Sequence, residues 1–396
     1  MSRVTDREID LLDGDFYVSD PYPTYAWMRE HAPVYWDAVN ELWGISRYDD
    51  ILEIEKAKEI FISSDREKGG YRPNLPADPG MIGTDDPLHT KRRKLVARRF
   101  TPKAVTSWED HVRATVTDLL DAVEPSGEAE VVYELAAPLP AIMIGDLLGF
   151  PRELWPKLME WSERTILGGG GPRYSNEDVM NAAGEFFAAC SELYEERSAC
   201  PVDDIMSVWT QATIDGVPLG HGTVLSDCLL VLDGGAETTR TVIARTLLEL
   251  AARPDQWQLL RDGADLAVAT EEFIRWVTPI VNMCRVATRD YDLCGTTIRK
   301  GQQVVLMYPS ANRDPEHFDD PDRFDVTRQP NQHLSFGFGT HFCLGAALAR
   351  LEIRVFFEEF VRRVRDLRMK PETEVVEIPN AFVFGLKRAN MEFDFA

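Results

Sequence analysis

Between about Thr106 and Leu260, apolar side chains recur every three or four residues, the period of helices that bury one face. The segment from about Val224 to Leu250 is apolar on most faces. At 1.5 Å per residue this predicts a helix of about 40 Å crossing the centre of the molecule. Further helices are predicted at Tyr25–Glu30, at His89–Arg99, around Ala269–Trp276 and over Leu344–Val364. Alternating or β-branched runs at Val34–Trp36, Leu42–Ile45, Val286–Leu293, Thr297–Ile298 and Gln303–Met307 read as short strands. A proline- and glycine-rich stretch, 69–87, predicts a long loop of the kind that serves as a lid. The run Gly168–Pro172 interrupts the helical pattern and reads as a hinge or mobile cover, or else as a passive linker. The expected architecture is mainly α with a small β component. It forms a single domain over 1–396, with β-rich elements near 34–46 and 286–307 plus a C-terminal turn, and a helical core over 89–276 and 344–364.

Charge narrows the function. The chain carries 43 basic and 66 acidic residues, a formal −23, so its field repels nucleic-acid backbones and anionic lipids. No apolar run approaches the ~20 residues of a membrane-spanning helix. The opening ten residues lack the basic-then-apolar form of a secretion signal, which predicts a cytoplasmic protein with reduced cysteines. The six cysteines form no C-x-x-C pair, so a structural zinc site has little support.

One cysteine stands apart. Phe336-Gly337-Phe338-Gly339-Thr340-His341-Phe342-Cys343-Leu344-Gly345 places a thiol just ahead of an apolar helix, among glycines that let the backbone approach a flat ligand. Helix N–H groups and the helix dipole favour a thiolate there. A zinc site would need four Cys or His ligands, and only His341 lies close to Cys343 in sequence. A lone thiolate suits a cofactor that brings its other four ligands with it, as haem does.

The segment resembles the haem-thiolate signature of the cytochrome P-450 monooxygenases, F-G-x-G-x-H-x-C-x-G, at every fixed position. Other marks of that family follow in order from about Asp20 to the C-terminus. Gly234-Gly235-Ala236-Glu237-Thr238-Thr239 resembles the central-helix segment that lies over the distal face of the haem. There the glycines open the helix for dioxygen, and Glu237 and Thr238 match an acid–alcohol pair that relays protons. Two glycines inside a helix cost about 1 kcal/mol each relative to alanine, so packing alone does not explain them. Glu272 and Arg275 match a structural E-x-x-R pair, with Arg323 as the second arginine of the network. His89, Arg93, Arg285 and His341 match the contacts to the haem propionates.

The resemblance implies a cytochrome P-450 fold, with haem b between the central helix and the helix after Cys343, the iron ligand. It implies a monooxygenase that takes dioxygen and, since no flavin or nicotinamide fingerprint is present, two electrons from a ferredoxin with its NAD(P)H-dependent reductase. Arg92, Lys94, Arg98, Arg99, Arg350 and Arg354 are the expected redox-partner face on an otherwise acidic protein. The expected substrate pocket is Met81, Ile82, Leu230, Gly234, Ile280, Val281, Met283 and Phe382, suited to a large lipophile. The chain is most similar to mycobacterial members that oxidise the terminal side-chain methyl of cholesterol or cholest-4-en-3-one, in some cases on to the acid. A fatty acid, terpene or polyketide is the alternative substrate. A non-catalytic haem sensor, and a thiol or zinc enzyme using Cys343 and His341, are alternatives of other classes.

Overall fold

A computed structural model describes residues 8–65, 67 and 70–396. The first seven residues of the N-terminal reading, and Gly69 of the long loop, lie outside the described residues. The architecture is mainly helical with small sheets. The central helix runs from His221 to Ala252, 32 residues, longer at both ends than its apolar core suggested. It packs against helices Pro138–Leu148, Trp155–Thr165, Glu177–Ala199, Leu266–Val277 and Ala346–Arg363. No helix among the described residues is long and apolar enough to cross a membrane.

A five-stranded sheet joins distant parts of the chain in the order Val34–Asp37, Leu42–Ile45, Gln303–Leu306, Met283–Ala287, Phe61–Ile62. The pairing of Leu42–Ile45 with Gln303–Leu306 is parallel and the other three are antiparallel. A three-stranded sheet holds Glu128–Glu130 beside Asn390–Phe395 and Val364–Met369. Glu128–Glu130 falls inside a stretch whose periodicity predicts only helix, because its strand is fixed by a partner more than 250 residues away.

Two loops depart from expectation. The proline-rich loop is tied down: Asp227 on the central helix accepts the Met81 backbone N–H at 2.5 Å, and Arg92 donates to the Pro79 carbonyl at 2.7 Å. The glycine run is packed rather than hinged. Gly168, Gly169 and Gly170 are buried in a short 3₁₀ turn, and a Cβ on Gly169 would lie 2.4 Å from the Phe382 ring.

The Glu272 network forms with one change of partner. Arg275 makes a bidentate pair with Glu272 at 2.7 and 2.8 Å, both side chains wholly buried. Its remaining N–H groups bind the carbonyls of Asn312, Pro321 and Arg323. Arg328, not Arg323, supplies the second guanidinium, 3.2 Å from Glu272. The Arg323 side chain is 62% exposed beside Asp325. Its carbonyl already accepts from both Arg275 and Arg328, which fixes the backbone with the side chain facing outward. Removing one member of a buried charge cluster strands the others, a loss of about 3–5 kcal/mol. Glu272→Ala and Arg328→Ala are therefore expected to lower haem content and melting temperature together, whereas Arg323→Ala leaves both near wild type; parallel haem assays and thermal melts check this.

Candidate active site

A cavity of about 1640 Å³, its mouth included, lies between the central helix and the Cys343 loop. Cys343 is the one cysteine on its wall among the described residues. The Cys343 N–H bonds the Phe336 carbonyl at 2.9 Å and closes the loop. The helix begins at Ala346, so Cys343 precedes it by three residues, and the N–H groups of Gly345 and Ala346 point back at the sulfur. Burial raises the thiol above its ordinary range, opposed by those N–H groups and by Arg93 and Arg350. The helix terminus alone therefore does not make the thiolate; a bound metal ion deprotonates such a thiol outright.

The glycines around it divide into two kinds. Gly337 and Gly339 have φ of +65° and +68°, which explains them by backbone conformation. Gly345 has open space where a Cβ would stand. On the opposite wall Gly234 also faces open space, whereas a Cβ on Gly235 would meet Ile144 at 2.3 Å, so this second glycine serves helix packing. Thr238 lines the cavity and donates to the Gly234 carbonyl at 2.7 Å. Glu237 does not reach the wall. It is buried against Arg240 at 2.9 Å, and Arg240 also contacts Glu163 at 3.1 Å. Burial raises the Glu237 carboxyl and Arg240 pulls it down.

One edge of the cavity gathers His89, Arg93, Arg285 and His341. The two imidazole rings are 4.2 Å apart. Burial, reinforced by Arg93, lowers His89 to about 4, and burial with Arg285 lowers His341 to about 2. Both are neutral hydrogen-bonding groups, and the two arginines carry the positive charge.

Met81, Ile82, Leu230, Gly234, Ile280, Met283 and Phe382 all line the cavity. Val281 does not: its N–H bonds the Phe382 carbonyl at 2.9 Å and its side chain packs in a separate core with Tyr25 and Met28. Extended backbone sends successive side chains to opposite sides, so with Ile280 inward Val281 faces away.

Sequence reasoning missed several polar wall residues: Glu55, Tyr71, Arg72, Asp233 and Glu352. Glu55 accepts from Tyr308 at 2.8 Å and lies 3.6 Å from Arg285; burial pushes it up to about 7. Glu352 is buried with Oε2 unpartnered among the described residues, and burial pushes it up to about 8. Asp233 left a signal, an acid directly after the apolar run Leu229–Leu232 and directly before Gly234.

A profile of the cytochrome P-450 family matches residues 266–395. A steroid C26-monooxygenase of Mycobacterium tuberculosis is 40% identical over 391 residues, covering 98% of this chain and 97% of that protein. The chain belongs to the cytochrome P-450 family. A linalool 8-monooxygenase of Pseudomonas putida is 34% identical, with 96% and 98% covered. A solved cytochrome P-450 from Bacillus megaterium, in complex with testosterone, superposes with a TM-score of 0.87 at 32% identity, covering 96% of this chain and 99% of that one.

A cytochrome P-450 is a monooxygenase that binds haem through a cysteine thiolate, and the residues present fit that group. Nδ1 of His89 is buried and unpartnered among the described residues, at the edge where Arg93 and Arg285 stand. Gly345 and Gly234 leave the two facing walls bare where a flat ring would lie. The cavity thus offers one thiol beneath, open space between and donors at one rim.

The basic face of this cytochrome P-450 is smaller than its sequence implies. Arg92 is buried and paired with Asp227 at 2.6 Å, so it belongs to the loop anchor. Arg99 pairs with Asp203, Arg350 with Glu271, and Arg354 with Glu109 and Glu358. Lys94 and Arg98 are exposed and form no ion pair among the described residues. Arg92→Ala strands the buried Asp227 carboxylate and is expected to cost about 3–5 kcal/mol, read as a fall in thermal stability, whereas Lys94→Ala leaves stability unchanged.

Proposed function

We propose that this cytochrome P-450 hydroxylates the terminal side-chain methyl of cholesterol or cholest-4-en-3-one and can carry the product on to the acid. The observation that carries the steroid reading is the 40% identity, over nearly the whole of both chains, to a protein named steroid C26-monooxygenase. Haem supplies dioxygen activation when bound, and a thiolate ligand favours O–O cleavage. In this reading Cys343 is the iron ligand. Arg93 and Arg285 would pair with the propionates, and His89 and His341 would donate hydrogen bonds to them. Thr238 holds a hydroxyl proton at the distal wall, where its oxygen is anchored by the Gly234 carbonyl. Glu237 is the acid of the relay, behind the helix, where its carboxyl is held by Arg240, which also contacts Glu163. Met81, Ile82, Leu230, Ile280, Met283 and Phe382 exclude water and hold the lipophile.

Two electrons come from a ferredoxin and its NAD(P)H-dependent reductase in the cytoplasm, with docking centred on Lys94 and Arg98. A second reading, hydroxylation of a terpene alcohol, draws on the linalool 8-monooxygenase relative.

Adding cholest-4-en-3-one to the ferric protein is expected to move the Soret band toward the high-spin position; an unmoved band removes the steroid reading. Thr238→Ala is expected to consume reductant while releasing hydrogen peroxide in place of product, measured as the ratio of product formed to NAD(P)H consumed. With the charge at Arg98 reversed (Arg98→Glu), electron transfer from ferredoxin should slow at low salt and recover relative to wild type as salt rises.

A further inference from the structure

We infer that Asp233 and Arg72 form a recognition subsite for a neutral oxygen of the substrate, a hydroxyl or a ketone, on the distal wall of the cavity. This deepens the proposed function, since it rests on the haem-monooxygenase reading of the cavity, but it does not depend on the substrate being a steroid.

Asp233 is 4% exposed and lines the cavity one position before Gly234. Its Oδ1 lies 2.7 Å from the Thr165 hydroxyl, and that hydroxyl lies equally close, 2.7 Å, to the Trp161 carbonyl. The Thr165 hydroxyl donates to the Asp233 oxygen and is shared with the backbone carbonyls of its own helix. Burial pushes the Asp233 carboxyl up to about 8, opposed by the Thr165 hydrogen bond and by Arg72. Its second oxygen has no partner among the described residues and is left to whatever enters the cavity.

Arg72 reaches the same cavity from the tied-down loop. Its guanidinium stands 5.0 Å from the Tyr71 ring and 5.7 Å from the Phe382 ring, and Nε is buried without a partner among the described residues. Asp78, which accepts from the Tyr71 hydroxyl at 2.8 Å, supplies counter-charge together with Asp233 itself. The wall thus presents an unused N–H donor and an unused carboxyl oxygen with the local charge balanced. An anionic ligand has no surplus cation to meet there, and a pure hydrocarbon leaves both polar groups desolvated and unpaired. A neutral oxygen satisfies them. Sites of this kind discriminate strongly against an analogue lacking the oxygen, because the buried polar groups are then left unpaired. Asp233 lies five residues, about 7.5 Å along the helix, from Thr238. A held oxygen would therefore fix which carbon is presented for oxidation.

The test is a spectral titration of the ferric holoenzyme with two matched pairs: cholest-4-en-3-one against cholest-4-ene, and linalool against the same skeleton without its hydroxyl. In wild type the oxygenated member of at least one pair is expected to bind about tenfold or more tightly. Asp233→Val should bring that ratio close to one by improving hydrocarbon binding, while Asp233→Asn retains most of it. Arg72→Leu, on the loop, gives an independent reading should Asp233→Val lose haem. A wild-type ratio near one, a ratio unchanged in both Asp233→Val and Arg72→Leu, or no response to either oxygenated ligand overturns the subsite. Discrimination seen only with the linalool pair upholds the subsite and removes the steroid.

Discussion

Buried ion pairs along the central helix hold the cavity in shape. Asp227 near its start binds Arg92 and the Met81 N–H, which ties the proline-rich loop and the basic helix to it. Mid-helix, Arg240 holds Glu237 and reaches Glu163 on the neighbouring helix. Further on, Arg245 binds Glu377 and the carbonyls of Phe384 and Gly385, fixing the C-terminal turn. A buried charge released from its partner is costly, so each pair resists relaxation of the wall it belongs to. Large apolar cavities otherwise tend to collapse, since their lining forfeits contacts across the gap.

The two faces of the cavity have different chemical tasks. The proximal side offers one sulfur, bare space above Gly345, and a rim where cationic arginines stand beside neutral imidazoles. The distal side is mostly apolar but is interrupted by Thr238, Asp233 and Arg72. Glu237 sits behind the helix, paired with Arg240, rather than on the wall. That separation keeps the charged carboxylate out of the space where an apolar substrate must sit.

Much of the fold could be read from residue order. The helical period found the central helix, and the Gly-rich cysteine loop marked the haem side without any tertiary information. What escaped were choices made between distant segments. Arg328 rather than Arg323 completes the Glu272 cluster because the Arg323 carbonyl is already used. Arg92 looks like a surface charge in a basic run, yet it is buried because Asp227, 135 residues later, lies opposite. The run Gly168–Gly170 reads as flexible by composition, but Phe382 leaves room only for glycine at Gly169.

The sequence by itself determined the chemical groups: a single thiol in a glycine loop, an acid–alcohol pair on a long apolar helix, and His89 and Arg93 four residues apart on one helix. Those features are local, because they depend on residue type at short spacing. Tertiary structure alone decided which polar groups face the cavity and which are neutralised in the protein. That outcome depends on burial and on partners supplied from far along the chain, so Asp233 became an open hydrogen-bonding group while Glu237, four residues on, was turned away.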